Sequence, residues 1–232
     1  MQLSRNQAIK INRLLDEWLP PAVRDWRWLW IGPFKLFYGS SYEDFLDFKS
    51  GIEEWTPEDF ARFYTKTAGA PPYRKTHLND ECLVAIQSEV RDADVLEVGA
   101  GNCFLAQSLV KGGNRVTVCD VHFAPQARSP ELTYVEGDAL KLPFEDNSFD
   151  TVISTHTLEH IPQLSQALSE LRRVARRRLV IVVPRQRASR HTFDPHVHFF
   201  PYKFSVLFAF GPTTSNTSCE LVGGDWLYSE TR

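Results

Sequence analysis

The chain of 232 residues lacks most of the features that would place it at a glance. Its four cysteines, Cys82, Cys103, Cys119 and Cys219, are scattered, and no two form a CxxC pair. That spacing argues against a disulfide framework or a zinc ribbon and suits reduced thiols in a cytoplasmic protein. Charge of one sign is also lacking: the formal net charge is -3 and the pI about 6.2. No general attraction to nucleic acid or to anionic membranes follows. No apolar run approaches the roughly 20 residues that a bilayer-spanning helix needs. The opening MQLSRNQAIKINRLLDEWLP is too polar for a signal peptide. Internal repeats and low-complexity tracts are absent.

Hydrophobic residues make up 43% of the chain, enough for a sizeable core. Residues 1–90 read as a helical, aromatic-rich extension. Ile9 to Trp18 has helical apolar spacing and stops before Pro21. TPEDF offers an N-cap in Thr56, a first-turn proline and early acids. Ala68 to Tyr73 breaks the chain, and His77 to Val90 reads as a further helix. WRWLWIGPFKLF, Trp26 to Phe37, mixes three tryptophans with two cations. It reads first as an apolar lid, packed on the main domain or lining a pocket. Peripheral membrane contact is the competing reading.

The pattern changes at residue 93, and residues 91–232 read as one domain. ADVLEVG, RVTVCD, LTYVEGD, FDTVIST and RLVIVVP are short apolar strands, and CFLAQSLVKGG and LSQALSELRRVA are helices between them. This alternation predicts an α/β fold with a doubly wound, mainly parallel sheet. The tail TSCELVGGDWLYSE predicts antiparallel edge strands joined at Gly-Gly.

The loop after the first strand sits where doubly wound folds bind ligands. Gly99 and Gly101 permit a tight turn and let amides approach a ligand. A dinucleotide fingerprint would want glycine at position 104, where this chain has Phe104. Glu97 discriminates further. A carboxylate at the strand end repels a pyrophosphate and attracts an ammonium. Asp120 closes the second strand, 19 residues after Gly101, where an acid accepts from ribose hydroxyls. Asp138 can accept from an exocyclic amine, and the Ala139 amide can donate to a ring nitrogen. Together they describe an adenosine bearing an amino-acid ammonium and no phosphate, which S-adenosylmethionine fits.

At LEVGAGNC, VCD, GDALKLPFEDNSFD and THTLEHI the chain resembles the class I S-adenosylmethionine-dependent methyltransferases, in particular the small-molecule group. The resemblance spans about residues 93–183 and implies a Rossmann-like fold. It places the methionine part at Glu97, Gly99, Ala100 and Gly101, the ribose at Asp120 beside Val121, and the adenine at Asp138 and Ala139. Thr155 and His156 would flank the transfer site. The family's third loop glycine is Cys103 here, a departure that narrows the loop. The implied activity is O- or N-methylation of a small-molecule acceptor, and the aromatic extension, as a lid over it, suggests one that is apolar or lipid-linked. An RNA or protein methyltransferase, and a cofactor-binding interaction module without turnover, are the alternatives.

HTLEH, His156 to His160, spells the H-x-x-E-H of some zinc peptidases, which need both histidines on one helix. A preceding strand and Pro162 argue against that helix, and no metal is expected. Candidate bases are His160 and the cluster Asp194, His196 and His198, with the two histidines on one side of an extended segment. That cluster, with His191, reads first as hydrogen-bonded, chemically idle loop residues; a base oriented by Asp194 comes next, and a divalent-metal set last. The eight arginines between Arg172 and Arg190 read mainly as a solvated helix face, so nucleic acid is not expected as a partner.

Overall fold

The run Asp94–Val98 forms the first strand, β1, and its residues 95–98 are all buried. Burial on both faces is what a central parallel strand requires, and it explains why the run is apolar without alternation. The computed structural model describes residues 7, 9, 10, 14, 17–67, 76–91, 93–123, 128–191 and 193–232. Most of the helix expected over Ile9 to Trp18, and the break over Ala68 to Tyr73, lie outside them.

Six more strands follow: β2 (Arg115–Asp120), β3 (Thr133–Glu136), β4 (Phe149–Thr155), β5 (Ala175–Pro184), β6 (Thr217–Val222) and β7 (Asp225–Thr231). They form one sheet in the order β3-β2-β1-β4-β5-β7-β6. The first five pair in parallel, and β7 runs antiparallel between β5 and β6. The Gly223-Gly224 turn joins β6 to β7, with φ values of 58° and 96° that glycine adopts freely.

The described helices are α1 (Pro21–Arg24), α2 (Arg27–Tyr38), α3 (Tyr42–Leu46), α4 (Pro57–Thr67), α5 (Asp80–Glu89), α6 (Phe104–Lys111), α7 (Leu164–Val174) and α8 (Lys203–Phe210). On one face of the sheet, Leu96, Val152 and Ile181 pack with Leu168, Leu171 and Phe210 from α7 and α8. On the other, Val95, Ile153 and Val180 pack with Ile86, Leu105 and Leu109 from α5 and α6. α4 begins as TPEDF predicts: Thr56 Oγ1 accepts from the Asp59 amide at 3.3 Å, and Asp59 accepts from the Thr56 amide at 3.0 Å. α5 starts three residues later than expected from His77, because the Asn79 side chain caps it by accepting from the Cys82 amide at 2.8 Å. α8 carries no polar stripe, so its periodicity did not announce it.

The chain divides into two compact units: residues 75–185 with 198–232, which hold the sheet, and residues up to 74 with 186–197. The second unit has its own core, in which Trp30, Phe34, Tyr38, Phe45, Phe48 and Phe63 are buried. Phe193 returns to this core and stacks on Phe34 with ring centroids 4.8 Å apart. Polar contacts fasten the same segment. Arg24 donates to the Ala188 carbonyl at 2.6 Å, and Lys49 donates to the Ser189 carbonyl at 2.7 Å. Burial pushes the Lys49 ammonium down to about 7.

Candidate functional site

The loop between β1 and α6 is built from backbone that ordinary residues resist. Gly99 has φ 74°, and a Cβ there would stand 2.2 Å from Thr157 Oγ1. Thr157 donates that hydroxyl to the Gly99 and Thr155 carbonyls, at 3.3 and 3.1 Å. Gly101 has φ 49°, and its amide donates to Asp120 Oδ2 at 2.8 Å. A Cβ on Gly101 would meet nothing within 4 Å, so the loop is open on that side. Cys103 has φ 55°, the left-handed region, at the N-cap of α6. That is the physical sense of a glycine at this position in similar loops, and here a small buried thiol carries the strain.

Glu97 sits beneath this loop, 3% exposed. Its Oε2 accepts from the Ala106 amide at 2.9 Å, in the first turn of α6. Burial pushes the carboxyl up to about 8; the Ala106 amide opposes the shift and neighbouring Asp120 adds to it. Asp120 is raised too, by burial, against amide donors that include Gly101. Beside the loop lies a cavity of about 220 Å³. Glu97, Gly99, Ala100, Gly101, Thr155 and His156 line it together. A buried carboxylate next to an open, amide-rich turn fits a ligand that brings its own cation, which the ammonium of S-adenosylmethionine supplies.

The remaining expected cofactor residues stand elsewhere. Asp120, Val121, Asp138 and Ala139 are not among the residues lining this cavity. Asp120 joins it through the Gly101 amide. The Val121 side chain is exposed, and Asp138 Oδ1 accepts from the Leu140 amide at 2.9 Å, closing an Asx turn. Thr76, His77, Asn102, Phe104 and Leu105 line the cavity and were not singled out from the sequence as ligand-facing. A readable signal existed for the first two. A helix that runs directly into a parallel strand starts at the sheet's carboxyl edge, so residues ahead of α5 reach the glycine loop.

The HTLEH segment is not a helix. His156 has φ 52° and Leu158–His160 is a 3-10 turn, so the two histidines do not share an α-helical face. Of the candidate bases, His160 and His198 belong to the sheet unit, where His198 Nε2 lies 2.9 Å from the Ile161 carbonyl. Asp194 and His196 belong to the aromatic unit, where His196 Nδ1 lies 2.6 Å from Gln186 Oε1. The extended geometry expected from Asp194 to His198 is corrected. The His196 amide donates to the Asp194 carbonyl at 2.8 Å, a tight turn centred on Pro195.

Residues 96–183 match the family described as a methyltransferase domain. The chain is 35% identical over 98 residues to the demethylmenaquinone methyltransferase of Streptomyces griseus, covering 40% of this chain and 43% of that protein. It is 34% identical over 112 residues to a probable phthiotriol/phenolphthiotriol dimycocerosates methyltransferase of Mycobacterium ulcerans, covering 44% and 43%. The matches thus span less than half the length of these relatives. The fold is shared with a SAM-dependent methyltransferase from Aquifex aeolicus, at TM-score 0.53 and 18% identity over 77% of this chain and all of that one. Sheet order, glycine loop and family match agree over residues 96–183: less than half of this chain matches a methyltransferase domain, and it stands on the Rossmann-like fold of that SAM-dependent methyltransferase.

Proposed function

We propose that the protein transfers a methyl group from S-adenosylmethionine to a small, apolar or lipid-linked acceptor. The observation that carries the donor side is Glu97, buried at the glycine loop and raised to about 8, a carboxyl that gains most from a cationic ligand. In this reading Glu97 and the backbone of Gly99 to Gly101 hold the methionine end. Asp120 holds the ribose, and Asp138 with Ala139 the adenine. The bound cofactor supplies an electrophilic methyl on a positively charged leaving group. The protein's own work is then to orient the acceptor and exclude water. Thr155 and His156 flank that step. His160 and His198 on one unit, and Asp194 and His196 on the other, are the candidates for taking a proton from a hydroxyl acceptor.

The acceptor class is supported by the relatives, whose names specify a demethylmenaquinone and phthiotriol-type lipids. With labelled methyl donor and fractionated extract, label is expected in the organic-soluble small-molecule fraction. Label in acid-precipitable RNA or protein would replace this reading with a macromolecular one. Binding of the donor with no labelled product would mark an interaction module.

Contact with a lipid surface is supported by α2. Trp30, Phe34 and Tyr38 face inward, while Trp28 and Leu36 are 84% and 81% exposed. Trp26 and Leu29 add to the exposed apolar face, and no helix among the described residues is long and apolar enough to cross a membrane. Trp28→Glu and Leu36→Glu are each expected to lower binding to lipid vesicles about tenfold, the worth of one large apolar side chain. Unchanged vesicle binding in both would remove the membrane from the account.

A further inference from the structure

The amino-acid end of the donor carries two opposite charges, and Glu97 answers only the ammonium. The carboxylate on the same carbon needs donors or a cation of its own. Three of the glycine loop's amides are already engaged within the protein. Those of Gly99, Gly101 and Cys103 donate to the Cys119 carbonyl, Asp120 Oδ2 and the Ala100 carbonyl, at 2.8, 2.8 and 2.7 Å. Among the described residues that line the cavity there is no lysine or arginine, and the side chains able to carry a positive charge are His77 and His156. His156 is buried among acids: its Nδ1 lies 3.4 Å from Glu159 Oε1 and its Nε2 3.4 Å from Asp225 Oδ2. His77 stands across from it, with ring centroids 6.3 Å apart, and is exposed. An imidazole has two nitrogens, so one can be held by the protein while the other reaches a ligand.

Local structure fixes the backbone that presents His77. Thr76 Oγ1 accepts from the Leu78 amide at 3.0 Å, a short turn closed around His77. Leu78 is buried in the core on the α5 and α6 side of the sheet. Asn79 caps α5, and its Nδ2 donates to the Val222 carbonyl at 3.1 Å and to Asp225 Oδ2 at 2.8 Å. The position is tightly specified, since a Cβ on Gly223 would stand 2.2 Å from Asn79 Oδ1. The β6–β7 hairpin thus holds the residues ahead of α5 against the sheet. Thr76 also lines the cavity, and a hydroxyl that accepts one hydrogen bond keeps its own hydrogen to donate.

We propose that His77, with the Thr76 hydroxyl beside it, holds the carboxylate of the donor's amino-acid end while Glu97 holds its ammonium. The inference rests on the cofactor reading above. It makes His77 a specificity-determining residue for a zwitterionic ligand, because the two charges are then read by two separate pieces of chain. S-adenosylmethionine and S-adenosylhomocysteine carry the same carboxylate, so the contact serves donor and product alike and favours neither.

Calorimetric titration of the full chain with S-adenosylmethionine, S-adenosylhomocysteine and decarboxylated S-adenosylmethionine tests it. The last keeps the sulfonium and the ammonium and lacks only the carboxylate. The wild type is expected to bind it about tenfold more weakly than the intact donor, the worth of one charge-assisted hydrogen bond at a partly open site. His77→Ala is expected to weaken both carboxylate-bearing ligands about tenfold, and the decarboxylated one less than about twofold. His77→Arg, which returns a cation to the position, is expected to recover most of that loss. Unchanged affinities in His77→Ala, an equal loss for all three ligands, or wild-type binding that ignores the missing carboxylate would each overturn the proposal. The exposed position leaves the melt of His77→Ala near that of the wild type, and the decarboxylated ligand separates a lost contact from a disturbed loop. Failure of the wild type to bind either intact ligand would sink the cofactor reading instead, a separate outcome.

Discussion

Replacing Glu97 with Gln is expected to weaken S-adenosylmethionine binding by about two to three orders of magnitude, since the ligand ammonium would lose a buried counter-charge worth about 3–4 kcal/mol. The substitution keeps the size of the side chain and an acceptor for the Ala106 amide, so the loop is expected to persist. The pH dependence makes the prediction specific. In the free protein the Glu97 carboxyl sits at about 8, so below that pH the ligand must displace a proton. Affinity should therefore rise with pH up to about 8 and then level, and Glu97→Gln should show no such rise. The stability of the free protein moves oppositely. A carboxyl with a raised folded value is fully stabilising below its unfolded value of 4.5, and that stability is lost as pH climbs toward 8. In this window the loss is about 1.4 kcal/mol per pH unit. Above pH 7 Glu97→Gln should melt higher than the wild type while binding far less cofactor. Calorimetry across pH with parallel melts checks both halves, and wild-type affinity in the variant would end the assignment.

Phe193→Ala is expected to cost about 3 kcal/mol in the aromatic unit, the lower end of the usual loss for a large ring, because Phe193 is only partly buried against that core. Phe193 stacks on Phe34 and meets Trp30 and Phe37 at centroid distances of 5.6 and 5.0 Å. It is also the principal apolar anchor of a segment that leaves the sheet after β5 and returns to residues far earlier in the chain. Hydrogen exchange should show lost protection across α2 and α3. Protection unchanged there would mean that the 186–197 segment contributes little to this core.

Much of the sheet was legible because its signals are local. Apolar runs of five to seven residues, punctuated by glycine and by caps such as TPEDF, determine strands and helix starts over short distances. Glu97, Gly99 and Gly101 were readable for the same reason, since the loop that positions them is contiguous and its left-handed turns demand small residues. Cys103 shows the limit of that legibility. A glycine expected for its conformation is replaced by a residue that pays the strain. That no helix carries His156 and His160 on one face was anticipated from the preceding strand and Pro162; the 3-10 turn itself was not.

What the sequence by itself determined is therefore the parallel sheet, its antiparallel edge and the carboxyl beside the glycine loop, because each follows from periodicity or turn chemistry within a few residues. Tertiary structure alone decided two other matters: the return of residues 186–197 to the aromatic core, and the meeting of His156 with Glu159 and Asp225. His156 and Asp225 are 69 residues apart and share no local pattern. Only the placement of β7 against β5 carries that carboxylate to the end of β4, and no spacing rule along the chain encodes a contact made across a sheet.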